Sequence, residues 1–243
     1  MSFNEERRGT MNEAQTMPLE MVISGAEISQ SRGTYHPVTL RTNRGDLFCR
    51  NYQVPDAKCG VIWLNGASGG WASPAKNIYP RLARALMDRG IASLQLSYRR
   101  SNDLNESVLD ALAGLAFLQH EGIARIALVG HSFGGAVAIQ AATTSKNVRT
   151  VVTLATQSYG TAPVGLLQPE CAMLLIHGGL DRMLPPSCSE YVFERAHDPK
   201  KYICFDAAGH SLDEVTGQIH PIIRDWLVTQ LATVPEVARA AAD

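Results

Sequence analysis

Short apolar runs alternate with helical patterns along most of this sequence, and that alternation limits the chain to a few architectures. Each run has four to six residues and is bounded by glycine or by polar residues, which is typical of strands buried on both faces. The runs lie at 60–64, 91–96, 126–129, 151–154, 173–176 and 202–205. A chain that alternates strand and helix at this rhythm is expected to form a parallel sheet with helices on both faces.

Four helical patterns and an earlier pair of strands complete the predicted element order. Apolar residues recur at helical spacing at 79–87, 108–118, 136–142 and 219–231. Before the first buried run, residues 37–41 and 46–52 predict two strands joined by a turn at 43–45. Because no linker, repeat or low-complexity segment interrupts 37–232, we predict one domain over residues 21–232. Residues 1–20 and 233–243 are predicted to be tails.

The composition excludes several classes of protein. The chain has 243 residues, 45% of them hydrophobic, and a formal net charge of −1, which is a globular balance rather than a disordered one. With 22 Lys and Arg against 23 Asp and Glu, there is no excess charge to bind nucleic acid or an anionic membrane. No stretch approaches 18 apolar residues, so the sequence predicts no membrane span.

Cysteine usage and the first residues indicate a reducing compartment. The five cysteines are scattered and odd in number and contain no Cys-x-x-Cys pair, so neither a disulfide framework nor a zinc site is expected. The N-terminal residues are polar and lack the apolar segment of a secretory signal. We therefore predict a cytoplasmic protein without a bound metal.

Ser132 is the candidate nucleophile because it lies in the sequence Gly-His-Ser-Phe-Gly-Gly at 130–135. This segment follows a buried run and opens a helical pattern, so it predicts a turn from strand to helix. A serine on such a turn needs small neighbours, because a Cβ two residues before or after it would collide with the adjoining strand or helix. Glycine-rich turns without chemistry show the same bare pattern, and the placement between strand and helix favours a nucleophile.

A serine hydroxyl is not ionised near pH 7 and needs a base, for which His210 is the candidate. His210 lies in a glycine-flanked loop just after the final strand, where the loop can lay an imidazole over the edge of the sheet. A base must be neutral, so activity is expected to fall below about pH 6.5. His131 is interpreted as packing beneath the turn, and His177 as making structural hydrogen bonds. The other histidines are interpreted as surface or helix residues: His36, His120, His197 and His220.

Asp181 is the candidate carboxylate that orients the base and stabilises its protonated form. It stands in a glycine turn after the penultimate strand, where an aspartate is ordinarily a turn former and can serve both purposes. The rivals are Asp206, four residues before His210, and Asp213 or Glu214 after it. Asp206 is expected to end its strand and point away, so Asp181 is preferred.

Acyl chemistry also needs hydrogen-bond donors for the oxyanion that develops on the substrate. The backbone N–H of Phe133 is one candidate, because it directly follows the nucleophile. The other is the N–H of Ala67, with Ser68 next, in the glycine-rich loop at 64–71. A phosphate cradle is the alternative interpretation of this loop. The loop lacks both the Gly-Lys-Ser/Thr ending of a nucleotide P-loop and the spacing of a dinucleotide site, so nucleotide binding is not expected.

Together, the glycine-rich loop, the Ser132 turn, the Asp181 turn and the His210 loop resemble the α/β-hydrolase superfamily. The resemblance is to its small single-domain esterases and dienelactone-hydrolase-like enzymes, and it covers roughly residues 37 to 232. It implies an α/β fold with a mostly parallel sheet of about eight strands and helices on both faces. It also implies cofactor-free hydrolysis of an ester, thioester or amide through an acyl-enzyme, with Ser132 as nucleophile, His210 as base and then acid, and Asp181 as orienter.

The sequence departs from this family in two places and lacks a cap. Family members often have His-Gly where this chain has Asn-Gly at 65–66, and dienelactone hydrolases proper carry a cysteine nucleophile where this chain has Ser132. Residues 156–171 leave room for a loop or a short helix and for no cap domain, which argues against lipase activity. The site is expected to be open, with Phe133 and Leu166 in its lining. The other candidates for substrate contact are Ser68, Trp71, Tyr159 and Met183.

We therefore expect a serine hydrolase that acts on small carboxylic esters, with a small-molecule acyl substrate and no cofactor. The same triad would also serve a thioesterase, a peptidase, an acyltransferase or a perhydrolase, and a panel of acyl donors separates these. A non-catalytic ligand-binding protein of the same fold is the alternative from another class. The acyl-chain length, the leaving group and the oligomeric state are left open.

Overall fold

The computed structural model describes residues 20–232. The two predicted tails lie outside the described residues, apart from Glu20. The described part contains nine strands: β1 (Ile23–Ile28), β2 (His36–Thr42), β3 (Leu47–Tyr52), β4 (Cys59–Leu64), β5 (Ile91–Ser97), β6 (Arg125–His131), β7 (Val148–Leu154), β8 (Ala172–Gly178) and β9 (Lys200–Phe205). It also contains five α-helices: α1 (Pro74–Met87), α2 (Leu104–His120), α3 (Phe133–Ala142), α4 (Ser187–Arg195) and α5 (Thr216–Leu231).

The strands form one mostly parallel sheet in the order β1-β2-β3-β5-β4-β6-β7-β8-β9. The pairs β1–β2, β2–β3 and β3–β5 are antiparallel, and every pair from β5 to β9 is parallel. The sheet has nine strands where about eight were expected. The additional strand β1 lies at the edge with five of its six residues exposed, so its sequence contains no buried apolar run to reveal it.

Helices cover both faces of the sheet, as the alternation of strand and helix predicts. The side chains of Val61 and Trp63 on β4 pack with α1 and α5, whereas those of Ile62 and Leu64 pack with α2 and α3 on the other face. All four side chains are fully buried. Burial on both faces explains why β4 reads as a continuous apolar run instead of an alternating one.

Helix α4 was not predicted from the sequence, and its packing explains why. It lies against β8 and β9, on the same face as α2 and α3. Only Ser189 and Val192 of its nine residues are buried, so the segment shows no apolar stripe at helical spacing.

Residues 20–232 form no cap domain over the carboxyl ends of the parallel strands. Between the end of β7 and the start of β8 the chain forms only a short 3-10 turn, Ala162–Leu166. This confirms the prediction from the length of that connection. Because this connection is short, the loops that follow β4, β6, β8 and β9 share one open edge of the sheet.

None of the helices within residues 20–232 is long and apolar enough to cross a membrane.

Candidate active site

Ser132 lies on a sharp turn between β6 and α3, with a backbone conformation that is strained for a residue with a side chain. Its φ is 55° and its ψ is −119°. A Cβ on Gly130 would lie 2.0 Å from the carbonyl oxygen of Gly134, and a Cβ on Gly134 would lie 2.4 Å from that of Asn65. The turn closes only because both positions are glycine, as the sequence predicts. Strain of this kind is concentrated at functional sites, where it presents a side chain in a fixed direction.

His210 and Asp181 meet at the same edge of the sheet. The Nδ1 atom of His210 lies 2.7 Å from Oδ2 of Asp181. The other carboxylate oxygen, Oδ1, accepts hydrogen bonds of 2.9 Å from the backbone N–H groups of Met183 and Leu184. Asp181 is therefore held by its own turn and is also free to bind the imidazole, so it is both a turn former and a partner of His210.

Asp181 is ionised over the working pH range of most enzymes. Burial alone would raise the pKa of Asp181, but the hydrogen bonds from Leu184, His210 and Met183 outweigh burial and lower that pKa below its ordinary value. An ionised carboxylate only accepts hydrogen bonds, so at this distance Nδ1 of His210 is the protonated nitrogen and donates to Asp181. The Nε2 atom of the neutral ring is then unprotonated and available as a base.

The rival carboxylates do not bind His210. Asp213 accepts a hydrogen bond of 2.7 Å from the backbone N–H of Lys76, and Glu214 accepts one of 3.2 Å from that of Gly209. The side chain of Asp206 is exposed and bonds to no residue within 20–232. Of the four acidic candidates, the structure brings only Asp181 to the imidazole.

Within residues 20–232, Ser132 is not joined to His210 by a hydrogen bond of the kind that joins His210 to Asp181. Within the described residues, no hydrogen bond joins the Ser132 hydroxyl to the His210 ring. The rings of His131 and His210 lie with their centroids 4.8 Å apart, which places His210 beside the residue that precedes the serine. Catalytic hydrogen bonds of this type are often long without substrate and shorten in the complex, so the arrangement is compatible with a serine–histidine pair.

Two further histidines hold the Asp181–His210 pair in position. The Nε2 atom of His131 lies 3.1 Å from the carbonyl oxygen of His210. The Nε2 atom of His177 lies 3.0 Å from the carbonyl oxygen of Leu184 and 3.3 Å from Oδ2 of Asp181. Both Nε2 atoms face acceptors and therefore carry protons. The Nδ1 atom of His177 then accepts the hydrogen bond of 2.6 Å from the hydroxyl of Ser189 on α4.

Both of these histidines are uncharged near neutral pH, because burial lowers their pKa values. The pKa of His131 falls to about 4, and that of His177 also lies below its ordinary value. The sequence assigned them to packing and structural hydrogen bonding, respectively. The structure adds the partners of these hydrogen bonds: His131 binds the backbone of His210, and His177 binds Asp181 and its turn.

The burial of His131 predicts an acid-dependent loss of stability. Its pKa in the folded state is about 4, below the unfolded value, so between these pH values the unfolded chain binds more protons and stability rises with pH. We expect His131 to cost about 2 to 3 kcal/mol in the free energy of unfolding as the pH falls from 6.5 to 4. Urea denaturation across this range should show a shallower pH dependence for His131→Phe than for the original chain.

The exposed His120 at the end of α2 supplies a matched control for this measurement. His120→Phe makes the same change of side chain at an exposed position, so it measures the effect of replacing imidazole with phenyl outside the core. Equal pH slopes for His131→Phe and the original chain would show that His131 titrates normally in the fold.

The two predicted oxyanion donors lie on either side of the serine turn. Phe133 is the first residue of α3, where a backbone N–H has no partner within the helix. The loop after β4 passes close to the serine, because a Cβ on Gly66 would lie 3.7 Å from the Cβ of Ser132. The next residue, Ala67, is exposed. In the described part of the chain neither the Ala67 nor the Phe133 N–H donates a hydrogen bond, so both are available to a ligand.

The four candidates for substrate contact occupy different places. Tyr159 lines a groove beside Phe133, and its side chain is 76% exposed. Met183 is 74% exposed on the Asp181 turn, and Ser68 is exposed in the loop after β4.

Trp71 packs against Arg50, whose guanidinium carbon lies 4.2 Å from the centroid of the Trp71 ring. Of these four residues, the structure brings only Tyr159 into the groove.

The sequence did not predict the groove, and only Phe133 and Tyr159 of its lining residues were candidates. It has a volume of about 430 Å³ and is formed where the start of α2 faces Phe133 and the loop after β7. Its lining residues are Asn102, Asp103, Leu104, Asn105, Phe133, Gln157 and Tyr159. The order of the parallel strands could have predicted it, because β5 and β7 end at the same edge as β6. The loops after them must therefore adjoin the serine turn.

Among the described residues, no group of three or more histidine, cysteine, aspartate or glutamate side chains is arranged to hold a metal ion. The arrangement instead combines a strained serine, an imidazole bound to an ionised carboxylate, and two free backbone donors.

Comparisons with known proteins show what this chain is similar to in sequence and in fold. A sequence model of the Alpha/beta hydrolase family matches residues 61–173. A search of curated protein sequences found no significant match. Many solved structures are similar, and three of them illustrate the extent of the likeness.

The dienelactone hydrolase from Anabaena variabilis ATCC 29413 superposes with a TM-score of 0.72 at 18% identity, covering 82% of this chain and 98% of that one. The esterase domain of a Rhodothermus marinus protein gives a TM-score of 0.65 at 18% identity, with 82% and 99% coverage. Est1E from Butyrivibrio proteoclasticus gives 0.66 at 14% identity, with 86% and 100% coverage. At these identities the likeness shows a common fold over nearly the whole of each relative.

Proposed function

The chain is an α/β-hydrolase in fold, and on that basis we propose that it is a serine hydrolase that cleaves small carboxylic esters through an acyl-enzyme on Ser132. The observation that carries this proposal is the 2.7 Å contact between His210 Nδ1 and Asp181 Oδ2 at the edge of the sheet where Ser132 stands on its strained turn. Two of the structural relatives are named as an esterase domain and a dienelactone hydrolase, which agrees with ester cleavage.

In the first half of the proposed reaction, Nε2 of His210 removes the proton of the Ser132 hydroxyl as Oγ attacks the ester carbonyl. The carbonyl oxygen becomes an oxyanion and accepts hydrogen bonds from the N–H groups of Phe133 and Ala67. Asp181 stabilises the imidazolium that forms. The protonated Nε2 then gives its proton to the departing alkoxide, and the acyl group remains on Ser132.

In the second half, a water molecule takes the place of the alcohol. His210 removes a proton from this water, whose oxygen attacks the acyl carbon, and the same oxyanion donors act again. Collapse of the intermediate returns the proton to Ser132 Oγ and releases the carboxylic acid. No cofactor enters either half of the reaction.

The absence of a cap favours small, freely diffusing esters over aggregated lipid. The connection between β7 and β8 holds only a short 3-10 turn, so the serine turn stays open to solvent. Lipases that act on droplets usually need a mobile apolar cover over the site, and residues 155–171 provide none. We therefore propose a small-molecule acyl substrate.

A panel of acyl donors tests the reaction class. We expect measurable turnover of 4-nitrophenyl acetate and butyrate and weaker turnover of the matching anilides, because an aryl oxide leaves more readily than an amine. Thioesters of the same acyl groups form the third arm. Preferential cleavage of thioesters or anilides would identify a thioesterase or a peptidase and would overturn the proposed ester specificity. Transfer of the acyl group to an added alcohol or to hydrogen peroxide would identify an acyltransferase or a perhydrolase.

A further inference from the structure

The groove beside the serine turn, which we call the α2 groove, has the chemistry of a binding site for a particular class of substituent. It is the 430 Å³ depression lined by residues 102–105, Phe133, Gln157 and Tyr159. Phe133 directly follows Ser132 in the chain, so the groove borders the serine turn. The inference below rests on the proposed esterase function, because it concerns part of the ester that Ser132 would attack.

Apolar and aromatic side chains supply a surface for a ring. Phe133 is almost completely buried and packs edge-on against Tyr98, so it is held rigidly at the base of the groove. Leu104 is partly buried and packs against Gly160, where a Cβ would lie 2.5 Å from Leu104 Cδ2. Tyr159 stands on the rim with most of its ring exposed. A planar group can therefore lie against Leu104 with the exposed ring of Tyr159 beside it.

Three carboxamides supply hydrogen bonds around this surface. The side chains of Asn102 and Asn105 are exposed and bond to no other residue in the described part of the chain. Gln157 donates from Nε2 to the carbonyl oxygen of Tyr159, which leaves its Oε1 atom as an acceptor. An amide both donates and accepts, so it is matched by hydroxyl groups, which do the same.

The charges around the groove disfavour an anion. None of the described residues that line it is basic, and Asp103 contributes a carboxylate, of which Oδ1 caps α2 by accepting from the N–H of Glu106. Arg44 and Arg99 are not among the lining residues, and both bind the carboxylate of Glu106. A carboxylate placed in the groove would meet the like charge of Asp103 and no basic side chain among the lining residues.

We infer that the α2 groove binds an uncharged ring that carries hydroxyl groups, as part of the ester cleaved at Ser132. Either the acyl group or the alcohol could supply this ring, for example as a hydroxylated phenyl ring or a sugar. The groove selects against esters whose ring carries a carboxylate. The juxtaposition of aromatic surface, three amides and one carboxylate next to the serine turn carries the inference.

Matched esters test this selectivity in the unmodified protein. On the acyl side, we would compare 4-nitrophenyl esters of phenylacetic, 3-hydroxyphenylacetic and 3-carboxyphenylacetic acid, and on the alcohol side benzyl, 3-hydroxybenzyl and 3-carboxybenzyl acetate. In one of the two series the hydroxyl compound should exceed the unsubstituted one in kcat/KM by about 3- to 10-fold, which is the effect of one or two added hydrogen bonds. In the same series the carboxyl compound should be the poorest substrate. The series that shows this order identifies which side of the ester enters the groove.

Variants of the groove residues then test whether the preference for the hydroxyl compound arises in the α2 groove. Tyr159→Ala and Asn105→Ala should each reduce the preference for the hydroxyl compound to less than about 2-fold, because one removes the rim ring and the other an amide. Alanine at 105 is well tolerated in the first turn of α2. The controls are Phe48→Ala and Gln218→Ala, which change an exposed aromatic residue on β3 and an exposed amide on α5. Both should keep the full preference.

Binding without turnover separates failure of this inference from failure of the proposed function. Saturation-transfer NMR with methyl 3-hydroxyphenylacetate and 3-hydroxybenzyl acetate should detect one of these ligands on Ser132→Ala, and the signal should weaken at least about threefold in the Ser132→Ala/Tyr159→Ala double variant. If no ester is hydrolysed but this binding is seen, the proposed function fails and the groove assignment stands. If esters are hydrolysed with equal rates for all three substituents, or if binding is insensitive to Tyr159→Ala, the groove assignment is overturned.

Discussion

Replacing Ser132 with alanine is expected to lower kcat/KM for 4-nitrophenyl acetate at least about 1000-fold, because the acyl-enzyme has no other oxygen on which to form. The measurement is initial rates at neutral pH with subtraction of the uncatalysed reaction. The substitution should leave the fold intact. The serine occupies a backbone conformation with φ of 55°, and alanine has the same Cβ and meets the same strain as serine there.

Ser187→Ala provides the matched control for this result. Ser187 is the exposed first residue of α4, so its loss should change kcat/KM by less than about twofold. An equal melting temperature for the Ser132→Ala variant and the original chain would exclude unfolding as the cause of the lost activity. A Ser132→Ala variant that retains most of its activity would exclude Ser132 as the nucleophile.

Replacing Asp181 with asparagine should also have a large effect, a loss of about 1000- to 10000-fold in kcat. The amide oxygen can still accept the hydrogen bonds from Met183 and Leu184, so the turn is preserved. The amide nitrogen then faces Nδ1 of His210 and makes that atom an acceptor. His210 is thereby locked with its proton on Nε2, where it cannot remove the serine proton. The KM should change little, since Asp181 does not contact the substrate.

Asp206→Asn is the decisive comparison for this prediction. Asp206 is the alternative candidate for the orienting carboxylate that precedes His210 by four residues, and its side chain is exposed. We expect Asp206→Asn to keep kcat within about twofold of the original value. The opposite result, a large loss for Asp206→Asn and a small one for Asp181→Asn, would move the orienting role to Asp206.

The parts of the fold that carry a strong local signal could be predicted from the sequence. The strands buried on both faces, such as β4 and β8, appear as uninterrupted apolar runs because neither face of them meets solvent. The serine turn could be recognised because its glycines lie close together in the sequence around Ser132, and at Gly130 the clash that a Cβ would cause is with Gly134 of the same turn. Asp181 and His210 could be placed together because the carboxyl ends of parallel strands lie along one edge of the sheet.

The remaining features lack such a local signal. β1 is exposed along most of its length, and α4 buries only two residues, so neither shows periodic burial. The α2 groove joins residues from three segments that are far apart in the sequence, and its polar side chains resemble those of any solvated surface. The contacts of His177 with Leu184, Asp181 and Ser189 depend on how one turn folds back on β8, which no spacing rule describes.

Activation of Ser132 is the central requirement of the proposed mechanism, and labelling by a fluorophosphonate probe measures that activation without any choice of substrate. An activated serine displaces fluoride from phosphorus and retains the phosphonyl group on Oγ. We predict that the intact chain gains one phosphonyl group, that peptide mass spectrometry locates it on Ser132, and that Asp181→Asn slows the labelling strongly. A chain that stays unlabelled under conditions that label a known serine esterase, or that is labelled at another residue, would contradict the account.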